Sequence, residues 1–273
     1  SLLDQYRELR EEHLKDETKR KQAAAGLLIV GLQQRLLSSI EAFARTLKVH
    51  RKTVQRQWEK ILAESYAVES GTGSLDLLSG SVGNDDDRAT LDEEQLRAEE
   101  DAQFEAATAA TMGPVEDTSA KLLFEREQQL LKEMTGVAEQ ARGKPDARIK
   151  RLVEWMRENM CPDLGKSGAK WNNTRVLIFT EYEDTKRYLV QQLQAVLTGS
   201  DDAERRIEIF HGPTPPQQRD EIKRAFNTDP AKHPVRILVA TDAAREGLNL
   251  QAHCSNLFHF DVPWNPGRME QRN

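Results

Sequence analysis

The spacing of apolar residues changes along this chain, and the main change falls near residue 175. From Ser1 to about Tyr66, apolar residues recur three or four positions apart, as at Ile29, Leu32 and Leu36. This is the spacing of one face of an α-helix. From Arg175 onwards, short β-branched and aliphatic runs alternate with helical patterns. The sequence therefore predicts a helical segment followed by an α/β domain.

The second half of the chain contains four predicted strands. They are Arg175 to Thr180, Arg206 to Phe210, Arg236 to Ala240 and Asn256 to Asp261, and helical patterns lie at Asp184 to Leu197 and at Pro215 to Phe226. Strands that alternate with helices are typical of βαβ units and a parallel sheet. Polar residues follow each strand, so all four strand ends are predicted to lie on one edge of the sheet. Ligands of open α/β sheets bind at that edge.

Two local signals predict where helices begin, one in the first half of the chain and one in the second. Ser38 is followed three residues later by Glu41, a capping-box spacing that ends one helix and starts the next. Thr214 is the predicted N-cap of the last helical pattern, with Pro215 at its first helical position.

The composition between Ser70 and Asp117 shifts to glycine, serine and acidic residues, with too few apolar side chains to fix a core. We predict an acidic insertion, disordered in part, with a helix around Leu91 to Ala110. Mimicry of nucleic acid by this acidity is the less favoured alternative. The predicted organisation is a helical segment (1–68), an acidic Gly/Ser-rich linker or insertion (69–117), an amphipathic helix (118–144) and the α/β domain (145–273).

The charge and cysteine content exclude some classes of protein. A formal net charge of -6 argues against a uniformly basic surface for nucleic acid, although a local basic patch stays possible. Cys161 and Cys254 have no partners at zinc or disulfide spacing, which predicts no metal site and a reduced, cytoplasmic protein. The apolar run from Ala23 to Val30 is too short to cross a membrane.

The residues at the four strand ends form an ordered series of motifs. The series is Val176-Leu-Ile-Phe-Thr-Glu181, then His211-Gly212 with Arg219 and Phe226, then Val239-Ala-Thr-Asp-Ala-Ala-Arg-Glu-Gly-Leu-Asn-Leu-Gln251, then Asp261-Val-Pro-Trp-Asn-Pro-Gly-Arg-Met-Glu-Gln271. It resembles the second RecA-like lobe of superfamily 2 helicases, and within them the Swi/Snf-type translocases. Within that group it resembles bacterial members such as the RNA-polymerase-recycling ATPase and the helicase-like protein of the DISARM anti-phage system. The resemblance covers about Asp146 to Asn273 and implies a RecA-like parallel sheet flanked by helices.

The resemblance also implies roles for individual residues. Phe179 to Glu181 resembles motif IV, Thr241 to Gln251 motif V, and Gln271 the start of motif VI. It implies nucleotide-cleft and coupling roles for Thr241, Asp242, Arg245, Glu246, Gly247, Asn249 and Gln251, with Gln271 and Arg272 beginning motif VI. On the nucleic-acid side it implies Thr180, Glu181, His211, Gly212 and Thr241. The implied partners are nucleic acid, with DNA favoured over RNA, and a first RecA-like lobe of the same protein.

An ATP site in this family also needs residues that are not in this chain. In the family, motif VI continues past the glutamine with a Gly-Arg pair and then the arginine finger, and the phosphate loop and acidic box belong to the first lobe. Gly165-Lys166-Ser167 is no substitute, because Met160 stands where a phosphate loop has its earlier glycine. The resemblance therefore implies an ATP hydrolase that binds ATP and Mg²⁺ when both lobes are present. We expect this chain alone to have no complete catalytic site, to bind no cofactor, and to be cut at both ends from a longer protein.

Other interpretations of individual features stay open. A non-enzymatic protein-interaction module, using the helices from Ile29 to Leu47, is the alternative function, and its protein partners cannot be read from the sequence. Phe179, Phe226, Phe258 and Trp264 are predicted to pack in cores or interfaces instead of stacking on bases. His211 is predicted to support the turn after its strand instead of acting as a catalytic base.

Overall fold

The computed structural model describes residues 1–69, 93–112, 118–212, 214–241, 250 and 252–262. These residues form two compact units. The first unit comprises residues 1–36, 43–69, 97–112 and 118–142, and the second comprises residues 37–42, 93–96 and the described residues from 143 onwards.

The first unit is helical, as the apolar spacing predicts. Its helices are α1 (Leu2–His13), α2 (Lys19–Ser38), α3 (Ile40–Glu69), α4 (Glu93–Ala110) and α5 (Thr118–Ala141), of which α2, α3 and α4 extend into the second unit. Most of the predicted apolar stripe is buried, including Ile29, Leu32 and Leu47. In the described residues, no helix is both long and apolar enough to span a bilayer.

The predicted acidic insertion contains a packed helix. α4 confirms the helix predicted around Leu91 to Ala110, but its Phe104 and Thr108 are buried, so this part of the range is not simply solvated. The physical reason is that α4 has an aromatic anchor and acidic side chains that meet arginines of the same unit. The rest of the range, including any disordered part, lies outside the described residues.

A buried polar network joins α1, α3, α4 and α5 inside the first unit. The hydroxyl of Tyr6 donates to Glu127 Oε1 at 2.9 Å and lies 2.5 Å from His50 Nε2. Arg10 donates to the same Glu127 oxygen at 3.1 Å, and His50 Nδ1 lies 2.8 Å from Thr108 Oγ1 of α4. Burial lowers the pKa of His50 to about 3, so its ring is neutral at physiological pH. The buried Glu127 carboxylate is therefore paired with one cation, the guanidinium of Arg10.

The second unit is built on a parallel sheet of the four predicted strands. They are β1 (Val176–Thr180), β2 (Ile207–Phe210), β3 (Ile237–Thr241) and β4 (Asn256–His259), arranged in the order β2-β3-β1-β4. All three strand pairs are parallel, which confirms the prediction from the alternation of strands and helices. The helices of this unit are α6 (Ala147–Asn159), α7 (Glu183–Leu197) and α8 (Pro216–Asn227).

Both faces of the sheet are covered by helices, as near-continuous apolar strands require. Val176 and Ile178 of β1 join a core with residues of α6 and α7, whereas Phe179 joins a second core with Ile222 and Phe226 of α8. Successive residues of one strand therefore supply opposite cores. The packing roles predicted for Phe179, Phe226 and Phe258 are confirmed, and Trp264 lies outside the described residues.

Three buried arginines, to which residue spacing assigns no role, lie at the amino edge of the sheet. Arg175, Arg206 and Arg236 stand directly before β1, β2 and β3, and all three are at least 95% buried. Arg236 donates to the carbonyls of Asn172 at 2.6 Å and His233 at 2.7 Å. Burial lowers the pKa of each guanidinium, that of Arg236 to about 10, which leaves Arg236 charged at neutral pH.

Candidate functional site

The register of the sheet brings the predicted site residues to one edge. Thr180, the last residue of β1, is the direct partner of Thr241, the last residue of β3. On one side β2 ends beside β3, directly before His211, and on the other side β4 lies beside β1, two residues before Asp261. The carboxyl ends of the four strands therefore form one polar edge, as predicted.

Asp261 is the centre of a buried hydrogen-bond cluster at this edge. Its Oδ2 accepts from Thr180 Oγ1 at 2.7 Å and from Ser38 Oγ at 2.5 Å, while Oδ1 accepts from the backbone N–H of Glu181 at 2.9 Å. Asp261 is 7% exposed, and Ser38 and Thr180 are at most 1% exposed. A buried carboxylate with three donors is well compensated. It holds the end of β1 in place.

The break between α2 and α3 belongs to the same cluster. Ser39 Oγ accepts from the backbone N–H of Ala42 at 3.1 Å and lies 2.7 Å from Thr185 Oγ1, which lies equally far from Ser38 Oγ. The predicted helix break is correct, but the predicted cap is wrong by one residue: Ser39 caps α3, because the Ser38 hydroxyl donates to Asp261.

The predicted capping box between Ser38 and Glu41 therefore does not form. Glu41 Oε1 instead accepts from the backbone N–H of Gly143 at 2.8 Å. The carboxylate has a tertiary partner, and tertiary contacts routinely override local capping preferences.

Thr241 differs from its register partner Thr180. It is 2% exposed, and in the part of the chain that the structure describes its Oγ1 has no hydrogen-bond partner. A buried hydroxyl without a partner costs about 1–3 kcal/mol, and such groups require an explanation in a folded protein. An unsatisfied hydroxyl at the ligand-binding edge of an α/β sheet is suited to bond with a bound ligand.

A charged cluster lies on the β2 side of the edge. Glu183 and Lys186, in the first turn of α7, form a close ion pair although both are over 90% buried. His211 Nδ1 lies 3.3 Å from Lys186 Nζ and 3.8 Å from Glu183 Oε1. The ammonium donates to Nδ1, which favours the neutral tautomer with the proton on Nε2. The ring is thereby held in one orientation.

The turn after β2 is fixed by its own hydrogen bonds. His211 donates its backbone N–H to Thr214 Oγ1 at 3.1 Å, and Arg219 donates to the carbonyl of Gly212 at 2.5 Å and to that of Thr214 at 2.8 Å. The predicted cap of α8 is wrong by one residue: Pro215 is the N-cap, because the Thr214 hydroxyl is used within the turn. His211 is part of this turn through its backbone.

The structure describes only part of the predicted site. Thr180, Glu181, His211, Gly212 and Thr241 lie at the carboxyl edge. The remaining predicted residues lie outside the described residues and stay predictions, namely Asp242, Arg245, Glu246, Gly247, Asn249, Gln251, Gln271 and Arg272. Within the described ranges, no group of three His, Cys, Asp or Glu residues is placed to hold a metal ion.

Several edge residues were missed from the sequence. Glu183, Thr185 and Lys186 follow β1 directly, and the first turn of a helix after a parallel strand lies at the carboxyl edge. That rule could have found them. No local signal points from Ser38 to Asp261, because they are 223 residues apart.

Comparison with known proteins gives a match over the region that contains this edge. A family model described as the helicase conserved C-terminal domain matches residues 157–273. An uncharacterized ATP-dependent helicase of Bacillus subtilis, YqhH, is 37% identical over 98 residues, which is 36% of this chain and 15% of that protein. This chain therefore spans a small part of that relative. The parallel sheet with helices on both faces agrees with the RecA-like fold of helicase C-terminal domains.

Two solved helicase-related structures are similar at low identity. The helicase domain of Pyrococcus furiosus Hef has a TM-score of 0.36 and 20% identity, covering 66% of this chain and 32% of that chain. The C-terminal part of the Fun30 ATPase domain has a TM-score of 0.41 and 15% identity, covering 99% of this chain and 74% of that chain.

Proposed function

We propose that the second unit is the C-terminal motor lobe of an ATP-dependent translocase or helicase of the Swi/Snf type, acting on double-stranded DNA. The observation that carries the proposal is the pair Thr180 and Thr241, side by side at the ends of the two central strands within the helicase-matched region. One hydroxyl is bonded to Asp261, and the other has no partner among the described residues.

This arrangement suits contact with a phosphate backbone. A threonine hydroxyl donates one hydrogen bond, and phosphate oxygens are strong acceptors. Because the Thr241 hydroxyl is buried here, the proposal is that it bonds to a DNA phosphate, without reading the base sequence, in a conformation that exposes it. Motion that depends on such contacts is independent of base sequence, as a translocase requires.

The end of β3 also links that contact to the predicted motif V. Thr241 is the last described residue before Asp242, and the motif runs to Gln251. A shift of the β3 end would be resisted by β1, because Asp261 fixes Thr180 and Glu181 beside it. We propose that the β1 end acts as the fixed reference against which motif V moves when two lobes close on ATP.

ATP and Mg²⁺ would be shared with a first lobe. The described edge offers a hydroxyl and a neutral imidazole but no glycine-rich turn with a lysine for the phosphates. When bound, the nucleotide supplies the free energy of phosphoryl transfer. The chain's own contribution would be to place motif V beside it, with Arg245 and Glu246 as interlobe or sensor residues.

A second candidate, a non-enzymatic interaction module, is favoured by one observation. Leu27, Val30, Leu36 and Leu37 on α2 are exposed, and exposed apolar side chains can mark a partner surface. Ile29, Leu32 and Leu47 of the predicted surface are buried instead. The motor proposal accounts for more of the described edge.

The decisive test uses a longer protein that contains both lobes. We expect its ATPase activity to be stimulated by duplex DNA, and both Asp242→Ala and Thr241→Val to abolish the stimulation. Thr198→Val makes the same chemical change as Thr241→Val at an exposed position and should leave the activity unchanged. The chain described here should show no ATPase activity alone. Absence of ATPase activity in the two-lobe protein would support the interaction module, and ATPase activity that duplex DNA does not stimulate would contradict the translocase proposal. Activity in this chain alone would overturn the two-lobe account.

A further inference from the structure

A strongly basic stretch of α3 stands out in an acidic protein. Between Arg45 and Lys60 the helix carries six lysines and arginines and one glutamate, although the whole chain has a net charge of -6. Arg45, Lys52 and Arg56 are spaced seven and four residues apart, so with 3.6 residues per turn they lie on one side of the helix. Lys52 and Arg56 are exposed.

α4 has the opposite charge and lies against this basic side. It carries six acidic residues and one arginine. Asp101 pairs with Arg45 at 2.8 Å, Glu105 pairs with Arg56 at 3.0 Å, and Glu100 lies 4.0 Å from Arg35 of α2. Three acidic side chains of one helix are thus matched to three arginines within the first unit.

Among the side chains that the structure describes, the apolar attachment of α4 is small. Among its described side chains, only Phe104 and Thr108 are buried. Phe104 packs edge-on to His50 and beneath the Arg35 guanidinium, and Thr108 bonds to His50. The three ion pairs are partly exposed, so each is weak and screened by salt. Much of what holds α4 is therefore a set of contacts for which another polyanion can compete.

We propose that α4 is an acidic cover on a phosphate-binding surface formed by Arg35, Arg45, Lys52 and Arg56, and that a nucleic-acid backbone displaces it. Eleven residues separate Arg45 from Arg56, which is about 16 Å along a helix and spans about five phosphates of one DNA strand. The acids of α4 occupy positions that phosphates would take. This surface lies in the first unit and needs neither the carboxyl edge nor ATP.

The test measures binding of the whole chain to a fluorescein-labelled duplex of mixed sequence by anisotropy over a range of salt concentrations. The variant E100Q/D101N/E105Q uncovers the arginines, and we expect on the order of tenfold tighter binding than in the unaltered chain, with a steeper salt dependence. The matched control E125Q/E133Q/E139Q removes three exposed acids from α5 of the same unit. If both variants bind equally well, only net charge matters and the proposal is overturned.

Two further measurements locate the surface. Adding R45Q/K52Q/R56Q to the uncovered variant should return binding to, or below, that of the unaltered chain, with circular dichroism confirming that the helices remain. Hydrogen exchange on the unaltered chain should show faster exchange of α4 amides when the duplex is bound, while α5 amides are unaffected. Retained binding in the combined variant, or unchanged α4 exchange at saturating duplex, would contradict displacement.

Discussion

The two edges of the sheet satisfy their buried polar side chains with different hydrogen-bonding groups. Both contain buried polar side chains, but the amino edge uses arginines bonded to carbonyls, whereas the carboxyl edge uses hydroxyls and a carboxylate bonded to one another. A guanidinium keeps its charge and only donates hydrogen bonds, so its carbonyl contacts are fixed. A hydroxyl both donates and accepts, so it can change partner when a ligand arrives. The amino edge therefore stabilises the sheet, whereas hydroxyls at the carboxyl edge can change hydrogen-bond partners when a ligand binds.

The largest expected effect is at the amino edge. Arg236→Met keeps much of the side-chain volume but leaves the buried carbonyl of Val235 and the part-buried carbonyls of Asn172, His233 and Pro230 without the Arg236 donors. We expect it to lower the free energy of unfolding by about 3–4 kcal/mol. Urea unfolding at constant pH measures this, and Arg224→Met, on the exposed face of α8, is the control. A loss below about 1 kcal/mol would mean that the amino edge is not the more rigid one.

A smaller effect is expected at Asp261. In Asp261→Asn the amide group presents donors where Ser38, Thr180 and the Glu181 N–H already donate. We expect a loss of about 2 kcal/mol in unfolding free energy. Asp163→Asn, at an exposed ion pair with Lys166, should change stability by less than about 0.5 kcal/mol. Equal effects of the two substitutions would show that the buried cluster does not stabilise the carboxyl edge.

The smallest effects distinguish the two register partners. Thr180→Val removes a hydroxyl that donates to Asp261 and should cost about 1 kcal/mol. Thr241→Val removes a buried hydroxyl that has no partner among the described residues and should leave stability unchanged within about 0.5 kcal/mol, or raise it slightly. Thermal and urea unfolding of both variants decide between these outcomes. Equal losses would show that the Thr241 hydroxyl stabilises the fold as much as the Thr180 hydroxyl does.

The sequence predicts the sheet well because its signals are local. Strands β1 to β4, their parallel direction and the shared edge follow from apolar runs, intervening helices and polar strand ends. The same runs begin with Arg175, Arg206 and Arg236, but their burial depends on carbonyls that only the folded loops bring together. Residue spacing alone therefore could not give these arginines a role.

The two wrongly predicted caps show that tertiary hydrogen bonds can override local capping signals. Ser38 has the correct spacing for a cap, yet its hydroxyl bonds to Asp261, and the neighbouring Ser39 caps α3. Thr214 likewise accepts a bond from the turn that precedes α8. In both cases the helix boundary is predicted to within about one residue, which is the usual uncertainty of such boundaries. The side chain that makes the cap is decided by tertiary competition.

The bond between Ser38 and Asp261 also has a consequence for synthesis on the ribosome. The two residues are 223 positions apart, so the break between α2 and α3 emerges long before the carboxylate that accepts its hydroxyl. At roughly 5–20 residues per second, the delay is about 10–45 s. The helices can form early because their backbone hydrogen bonds are local, whereas the carboxyl edge is completed only after β4 has emerged. Its final hydrogen bonds depend on the slow arrival of β4.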